Sequence, residues 1–415
     1  MLNRRRFLGS AAAAGALAET GEAMRAEGAN VTVDELERAA RAPVLKLDGI
    51  NSPVKIASVE LLRGRGVYFV RARSTDGAVG LAITNSRPAY LWPIFEQLVA
   101  PYFVGKDARD LEKLIDGVYV HRSNYKLSGL ALWNCVAWVE FTLLDMLGRI
   151  ARKPLGELFG GVIRRIVPIY VASGRRNTTP RQEAAMLARS VEQTGAKAVK
   201  FKVGGRMSNN ADSIPGRSEA LIPLVRKTLG EAMTIYADAN GSYDATKGIE
   251  IGRLMDDSGY ALFEEPCPFD HLEETRRVAG ALKTPVAGGE QETSLRRFRW
   301  MIANAAVQVV QPDLHYNGGF IRATRVARMA AAAGRTITVH MSGGGVGYVD
   351  ALHFASCTPN AGKFQEYKGA VEKTGRWYDP PLKLKDGAIA VPTSPGLGLP
   401  ADAEAFRGGK RIGRD

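Results

Sequence analysis

From the second to the eighth of eight strand-like segments, every segment in this chain ends in an ionisable residue. In order these are Lys200 with Lys202, Asp238, Glu264, Glu290, Asp313, His340 and Glu366. After a first step of 36 residues from Lys202 to Asp238, successive positions lie 23 to 27 residues apart. That interval is the length of one strand, one helix and two turns. Seven such groups on consecutive parallel strands would surround one mouth. Like charges gathered there would cost heavily without partners, so the pattern constrains fold and chemistry together.

The strand-like runs are "RIVPIYVAS", "AKAVKFKVG", "MTIYADANG", "YALFEEP", "TPVAGGE", "VQVVQPD", "RTITVH" and "KFQEY", separated by seven helical patterns such as "PRQEAAMLARSVEQTG". This alternation predicts an α/β chain, a (β/α)7β barrel of the TIM type over residues 166–369. Residues 46–165 read differently. A short antiparallel meander over 54–85 is followed by helical patterns at 91–116 and through "LALWNCVAWVEFTLLDMLGRIAR", which predicts an α+β capping domain. Residues 370–415 have little helical pattern and are expected to pack back on that cap, while 19–45 read as a linker with a short helix.

In such a barrel the strand ends carry the active site. The stretch "AKAVKFKVGG" at 196–205 shows what this changes. In isolation it is an edge strand with Lys200 and Lys202 on one solvated face, because alternate residues share a face. Within the ring, both lysines point at carboxylates instead. Asp238, Glu264 and Glu290 come from adjacent strands and offer three hard oxygen ligands, which suits one Mg²⁺ with positions left for water and a substrate anion. Asp313 beside His340 can hold one ring nitrogen and leave the other to act as acid or base. Lys200 and Lys202, near each other and a metal, are expected to have lowered pKa values, which makes one of them a general base. Glu366 is expected to be protonated by carboxylate crowding and to donate a hydrogen bond. Together these parts would bind a carboxylate, remove its α-proton and stabilise the enediolate. His121, His271, His315 and His353 fall in loops or helices and are given no catalytic role.

Composition adds exclusions. The formal charge of +13 is spread without basic clusters, which argues against nucleic acid and for small anionic ligands. Cys135, Cys267 and Cys357 suggest neither a disulfide framework nor a zinc site. No apolar run is expected to reach the roughly 20 residues of a bilayer-spanning helix. The first 18 residues, "MLNRRRFLGSAAAAGALA", read as a twin-arginine export signal with Asn3 in place of the usual serine or threonine. This predicts a periplasmic protein, with a cytoplasmic location as the alternative.

The motifs "KFK", "DAN", "EEP", "GGE", "QPD" followed by "NGG", "VH" and "QEY" occur in this order, and with "PLGELFGG" they make the chain resemble the enolase superfamily, mandelate racemase-like subgroup, over roughly residues 54–400. That superfamily is known for a Lys or His base with Mg²⁺ stabilising an ene-diolate. The resemblance implies Lys202 as base on one face of the substrate, with Lys200 neutralising its carboxylate. It implies His340, supported by Asp313, as base or acid on the other face. Asp238, Glu264 and Glu290 would ligate the metal, Glu265 being the variable position of "EEP". Asn240 would touch substrate and Glu366 would bond the enediolate oxygen.

The implied activity is acid sugar dehydration, with a racemase or epimerase using the same Lys/His pair as the alternative. A cycloisomerase fits less well, and a non-catalytic sugar-acid binder is opposed by the intact pair. Family members are usually dimers or octamers, so a homo-oligomer is expected. The short "RGRG" loop at 63–66 and the long "GGRMSNNADSIPGRS" linker leave the substrate open. Arg63, Arg65, Arg87, Tyr125 and Lys126 of the cap are candidate anion contacts, although plain surface is the stronger reading of each.

Overall fold

The computed structural model describes residues 31–342, 347–400, 406 and 408–413. The expected export signal, 1–18, lies outside the described residues, as does the linker up to residue 30. The rest of the linker contains helix α1 (Val33–Arg41), opened by a capping box in which Thr32 and Glu35 each bond the other's backbone N–H.

The meander follows as β1 (Ile56–Gly64), β2 (Val67–Ser74) and β3 (Val79–Ile83), antiparallel throughout. The single helical stretch expected over 91–116 is interrupted. Helix runs from Pro88 to Phe103 with a π turn over Phe95–Val99, then stops, and α2 (Leu111–Val120) begins separately. Pro101 has no N–H to close an α-helical bond to Gln97, which accounts for the widened turn. Helix α3 (Leu130–Ala151) corrects a second expectation. It is long and apolar enough to cross a bilayer by length and composition, yet 89% of its most apolar window is buried within the protein. It packs on β2 and β3 as the spine of the cap.

From here strands and helices alternate as the sequence predicts: β4 (Ile166–Ala172), α4 (Pro180–Thr194), β5 (Ala198–Lys202), α5 (Arg217–Leu229), β6 (Thr234–Asp238), α6 (Ala245–Asp257), β7 (Leu262–Glu264), α7 (Leu272–Ala281), β8 (Val286–Gly288), α8 (Leu295–Ala303), β9 (Val309–Val310), α9 (Phe320–Ala332), β10 (Thr336–Ile337), α10 (Gly347–Cys357) and β11 (Gln365–Tyr367). Strands β4 to β10 pair in sequence order, all parallel, and β11 pairs in parallel with β4. Between β10 and the approach to β11 the described residues make one isolated parallel bridge, Ile337 with Ala361, rather than a ladder. Side chains cap the starts of α4, α6 and α8. For α4 that is a Thr179–Gln182 capping box with Pro180 in the first turn.

The tail does more than cover the cap. A hairpin of β12 (Leu384–Lys385) and β13 (Ala388–Ala390) adds antiparallel to the start of β4, and β14 (Lys410–Arg411) adds to β1. The residues of β4 ahead of its pairing with β11 would otherwise be an open edge.

Buried carboxylates on α3 fasten the parts together. Asp145 takes the backbone N–H groups of Leu81 and Leu397, each at 2.8 Å, and Arg149 Nε at 2.6 Å, tying meander, helix and tail. Glu140 takes the N–H groups of Phe320 and Ile321, each at 2.8 Å, at the N-terminus of α9. This explains "NGG". Gly319 has φ 113°, and a Cβ there would sit 2.0 Å from Glu140 Oε2. The motif docks cap on α/β body.

Candidate active site

Strand register brings the ring together. Lys202 pairs across β5–β6 with Asp238, and Asp238 pairs across β6–β7 with Glu264. Asp313 and His340 face each other in a parallel bridge, and Glu366 lies opposite Tyr170 of β4. Lys200, Asp238, Glu264, Asp313 and Glu366 are buried, and Lys202, Asn240 and Glu290 nearly so, while Phe201 packs outward on Tyr260. All the predicted site residues therefore share one locus.

The basic groups neutralise the acids in a chain. Lys200 Nζ lies 2.9 Å from both Glu264 oxygens, 3.1 Å from Glu366 Oε1 and 3.8 Å from Asp238 Oδ2, above the Tyr170 ring at 5.2 Å. Lys202 Nζ pairs with Asp238 Oδ2. His340 Nδ1 is 2.7 Å from Asp313 Oδ2, and its Nε2 is 3.4 Å from Glu290 Oε2. Asp313 Oδ1 is in turn held by the N–H groups of His315 and Tyr316, at 2.8 and 3.0 Å. The aspartate thus fixes the imidazole and leaves Nε2 facing the site.

Two pKa expectations change. Burial lowers the pKa of Lys200, but Glu264 and Glu366 outweigh it and raise the value well above the ordinary one. The expected lowering does not hold for that lysine. Burial would also raise Glu366, but Lys200 and Lys368, the latter at 2.9 Å, hold it far below the ordinary carboxylate range. Glu366 is thus an acceptor, not the protonated donor expected. Lys368, just past the end of β11 and two residues from Glu366, carried no role in the sequence reading. Burial raises Glu264 to about 6, with Asp238 and Glu290 adding to it, despite Lys200. Asp238 goes down to about 2, because Lys202 and Lys200 overcome its burial. His340 is raised by Glu290 and Asp313 against burial, and Asp313 is lowered by His340 against burial.

Asp238, Glu264 and Glu290 are hard oxygen donors on successive strands. All three are buried acids placed close enough for Asp238 and Glu290 to add to the effect of burial on Glu264, and such a set of hard oxygens fits Mg²⁺. Among the described residues, no three such side chains converge as a ready-made metal centre; each of these carboxylates meets a lysine or the histidine instead.

Other neighbours carried no assignment from the sequence. Gln311, inside "QPD", donates to Glu264 Oε2 at 3.0 Å. Arg176 and Arg206, from loops whose side-chain directions cannot be read in advance, both reach Asn240 Oδ1, and Asn240 Nδ2 lies 3.4 Å from Glu265 Oε2. Of the cap candidates, Arg87 stacks at 4.6 Å on Tyr316, whose ring is 6.1 Å from His340. Arg63 stacks on Tyr68 within the meander, Arg65 is exposed at its turn, and Tyr125 and Lys126 are exposed. The remaining histidines have structural surroundings. His121 lies against Tyr102, His271 precedes α7, His315 bonds Asp350 at 3.1 Å, and His353 faces the Leu397 carbonyl at 3.3 Å.

The family model described as "Enolase C-terminal domain-like" matches residues 182–405. The chain belongs to the enolase superfamily, in its mandelate racemase-like subgroup. It is 27% identical over 360 residues to the arabinonate dehydratase of Saccharolobus solfataricus, covering 85% of this chain and 93% of that one. It is 29% identical over 371 residues to the D-galactarolactone cycloisomerase of Agrobacterium fabrum, covering 86% and 94%. Cycloisomerisation, which fits this chain's Lys/His pair less well than dehydration, thus occurs among its relatives. A solved mandelate racemase/muconate lactonizing protein from Paracoccus denitrificans PD1222, complexed with magnesium, superposes with a TM-score of 0.78 at 28% identity, covering 86% of this chain and 99% of that one.

Proposed function

We propose that this enolase-superfamily chain is a Mg²⁺-dependent acid sugar dehydratase. The carrying observation is the opposition of two proton-handling groups across a carboxylate array. Lys202 stands at the end of β5 and His340 after β10, with Asp238 and Glu264 ending β6 and β7 and Glu290 just past β8 between them. In this reading the Ile337–Ala361 bridge marks the closure of a (β/α)7β barrel over 166–369, capped by 46–165 and the tail from 370.

Asp238, Glu264 and Glu290 would hold one Mg²⁺, which when bound supplies positive charge and Lewis acidity to a substrate carboxylate. Lys202 takes the α-proton. The electron pair of that C–H bond is first held on the substrate as an enediolate, then collapses into the new C=C bond and expels the β-hydroxyl, which leaves as water with the proton of His340. Ketonisation then yields a 2-keto-3-deoxy acid. The raised pKa of His340 suits a donor, and Asp313 keeps its Nε2 aimed. Lys200 neutralises the substrate carboxylate, with Glu366 and Lys368 fixing its position. Asn240 contacts substrate. Export through the twin-arginine signal and assembly as a homo-oligomer complete the proposal, both resting on sequence resemblance.

The test is incubation with aldonic and aldaric acids in D₂O with Mg²⁺, followed by NMR and a 2-keto acid reagent. Keto acid supports dehydration. Deuterium at the α-carbon with inversion and no keto acid makes the protein a racemase or epimerase. No reaction with any acid overturns the reading.

A further inference from the structure

Two guanidiniums meet on one neutral side-chain acceptor beside the site, with Asp238 the anionic neighbour of Arg176. Arg176, following β4, donates through Nε to the Gly204 carbonyl at 3.1 Å and through Nη2 to Asn240 Oδ1 at 2.7 Å. Arg206, following β5, donates through Nη2 to the same Oδ1 at 3.2 Å. Among the described residues, these side-chain bonds all end on neutral oxygens, so two like charges share one amide acceptor. Each guanidinium has several N–H donors, and its planar fork matches a carboxylate. The arrangement is one an additional anion would complete.

The loop carrying Arg206 is fixed in a costly shape. Arg206, Met207, Asn209 and Asn210 all have positive φ, at 69°, 48°, 50° and 70°. Such strain persists only where surroundings impose it. Here they do. Arg206 N–H bonds Ser242 Oγ at 2.9 Å, Met207 N–H bonds the Asn240 carbonyl at 3.0 Å, and Asn210 exchanges two bonds with Asp244. Gly204 has no room for a side chain, since a Cβ would lie 2.3 Å from that of Ser242. Arg206, Met207, Asn240, Glu265, Phe269 and Glu290 line a cavity of about 180 Å³. One end of it is the proposed metal and proton-transfer site, at Glu290. Arg206 is also in its wall, and Arg176 stands behind it, joined through the shared Asn240 Oδ1. Glu265 also faces it, with the Asn240 amide N–H interposed.

We infer that Arg176 and Arg206 form a subsite for a second carboxylate, so that the preferred substrate is a dicarboxylic (aldaric) sugar acid held at both ends. This rests on the dehydratase reading for the position of the first carboxylate. Asn240 then acts as the spacer that presents both guanidiniums to the distal end.

The test compares an aldaric acid with the aldonic acid of equal length and configuration, and separately measures calorimetric binding of adipate and hexanoate, all with Mg²⁺. The expected result is a kcat/KM ratio favouring the aldarate by about 100-fold, the scale of a charge-assisted pair. In Arg176→Met/Arg206→Met the ratio falls toward one, mainly through KM, and the preference for adipate disappears. Arg206→Lys, which keeps the charge, retains part of both. If no sugar acid turns over but adipate is still favoured in an arginine-dependent way, the subsite stands and the dehydratase reading falls. If the aldonate reacts as well as or better than the aldarate, or the adipate preference survives in the double variant, the subsite is refuted.

Discussion

Lys200→Met removes the cation on which the buried cluster depends, and the structure says how much should be lost. Three carboxylates lie within 4 Å of Lys200 Nζ, but they are not equally stranded by its loss. Asp238 keeps Lys202, and Glu366 keeps Lys368 at 2.9 Å. Among the described residues, Glu264 keeps the Gln311 amide at 3.0 Å and, without direct pairing, the charge of Lys202. One carboxylate, not three, is therefore left buried without a paired counter-charge. Breaking one buried pair from one side costs about 3–5 kcal/mol, while methionine fills most of the lysine's volume and needs no ionic partner. The predicted destabilisation is thus about 3–5 kcal/mol in urea unfolding of EDTA-treated protein. Adding Glu264→Gln removes the stranded charge, so the double variant should recover most of that loss, a coupling a double-mutant cycle reads directly. A Lys200→Met protein within about 1 kcal/mol of the parent, or strictly additive single effects, would refute this account of the cluster.

Three further outcomes follow from the same geometry. Lys202→Ala should lower turnover about 10²–10⁴-fold, as expected for loss of a positioned base, with α-proton exchange lost alongside it; NMR in D₂O checks both. Gly319→Ala should destabilise by about 2–5 kcal/mol, because the added methyl collides with Glu140 at a backbone angle alanine avoids; the urea midpoint reports it. Burial lifts Glu140 to about 8 against the pull of the Ile321 and Phe320 N–H groups. Its folded pKa is above its unfolded one, so its contribution is full below about pH 4.5 and is lost as pH rises towards 8. Glu140→Gln should flatten stability over that window, at the expense of one backbone hydrogen bond, and unfolding midpoints measured against pH decide the matter.

The ring of site residues was legible because a strand end is a fixed place: Asp238, Glu264, Asp313 and His340 fall there by period alone. Their partners were less so. Lys368, two residues past Glu366, stands at a spacing that allows the pair which, with Lys200, keeps that glutamate ionised. Arg176 and Arg206 lie in loops whose direction is set by contacts distant in sequence, such as Arg206 N–H with Ser242, and no periodicity encodes that. Helix α3 shows the limit for apolar runs. A helix buried on all sides and one that spans lipid have the same composition, and only its packing on β2 and β3 tells them apart. The tail hairpin on β4 was invisible because an open strand edge is a property of the assembled sheet.

The central claim is that Lys202 and His340 work on opposite sides of one substrate, the first taking the α-proton and the second protonating the departing hydroxyl. Incubation of His340→Asn with an acid sugar that the parent dehydrates, in D₂O with Mg²⁺, separates the two steps. The account predicts deuterium entering at the α-carbon while keto acid formation falls about 10²–10⁴-fold. Keto acid formation at the parent's rate, or loss of α-exchange together with dehydration, would contradict it.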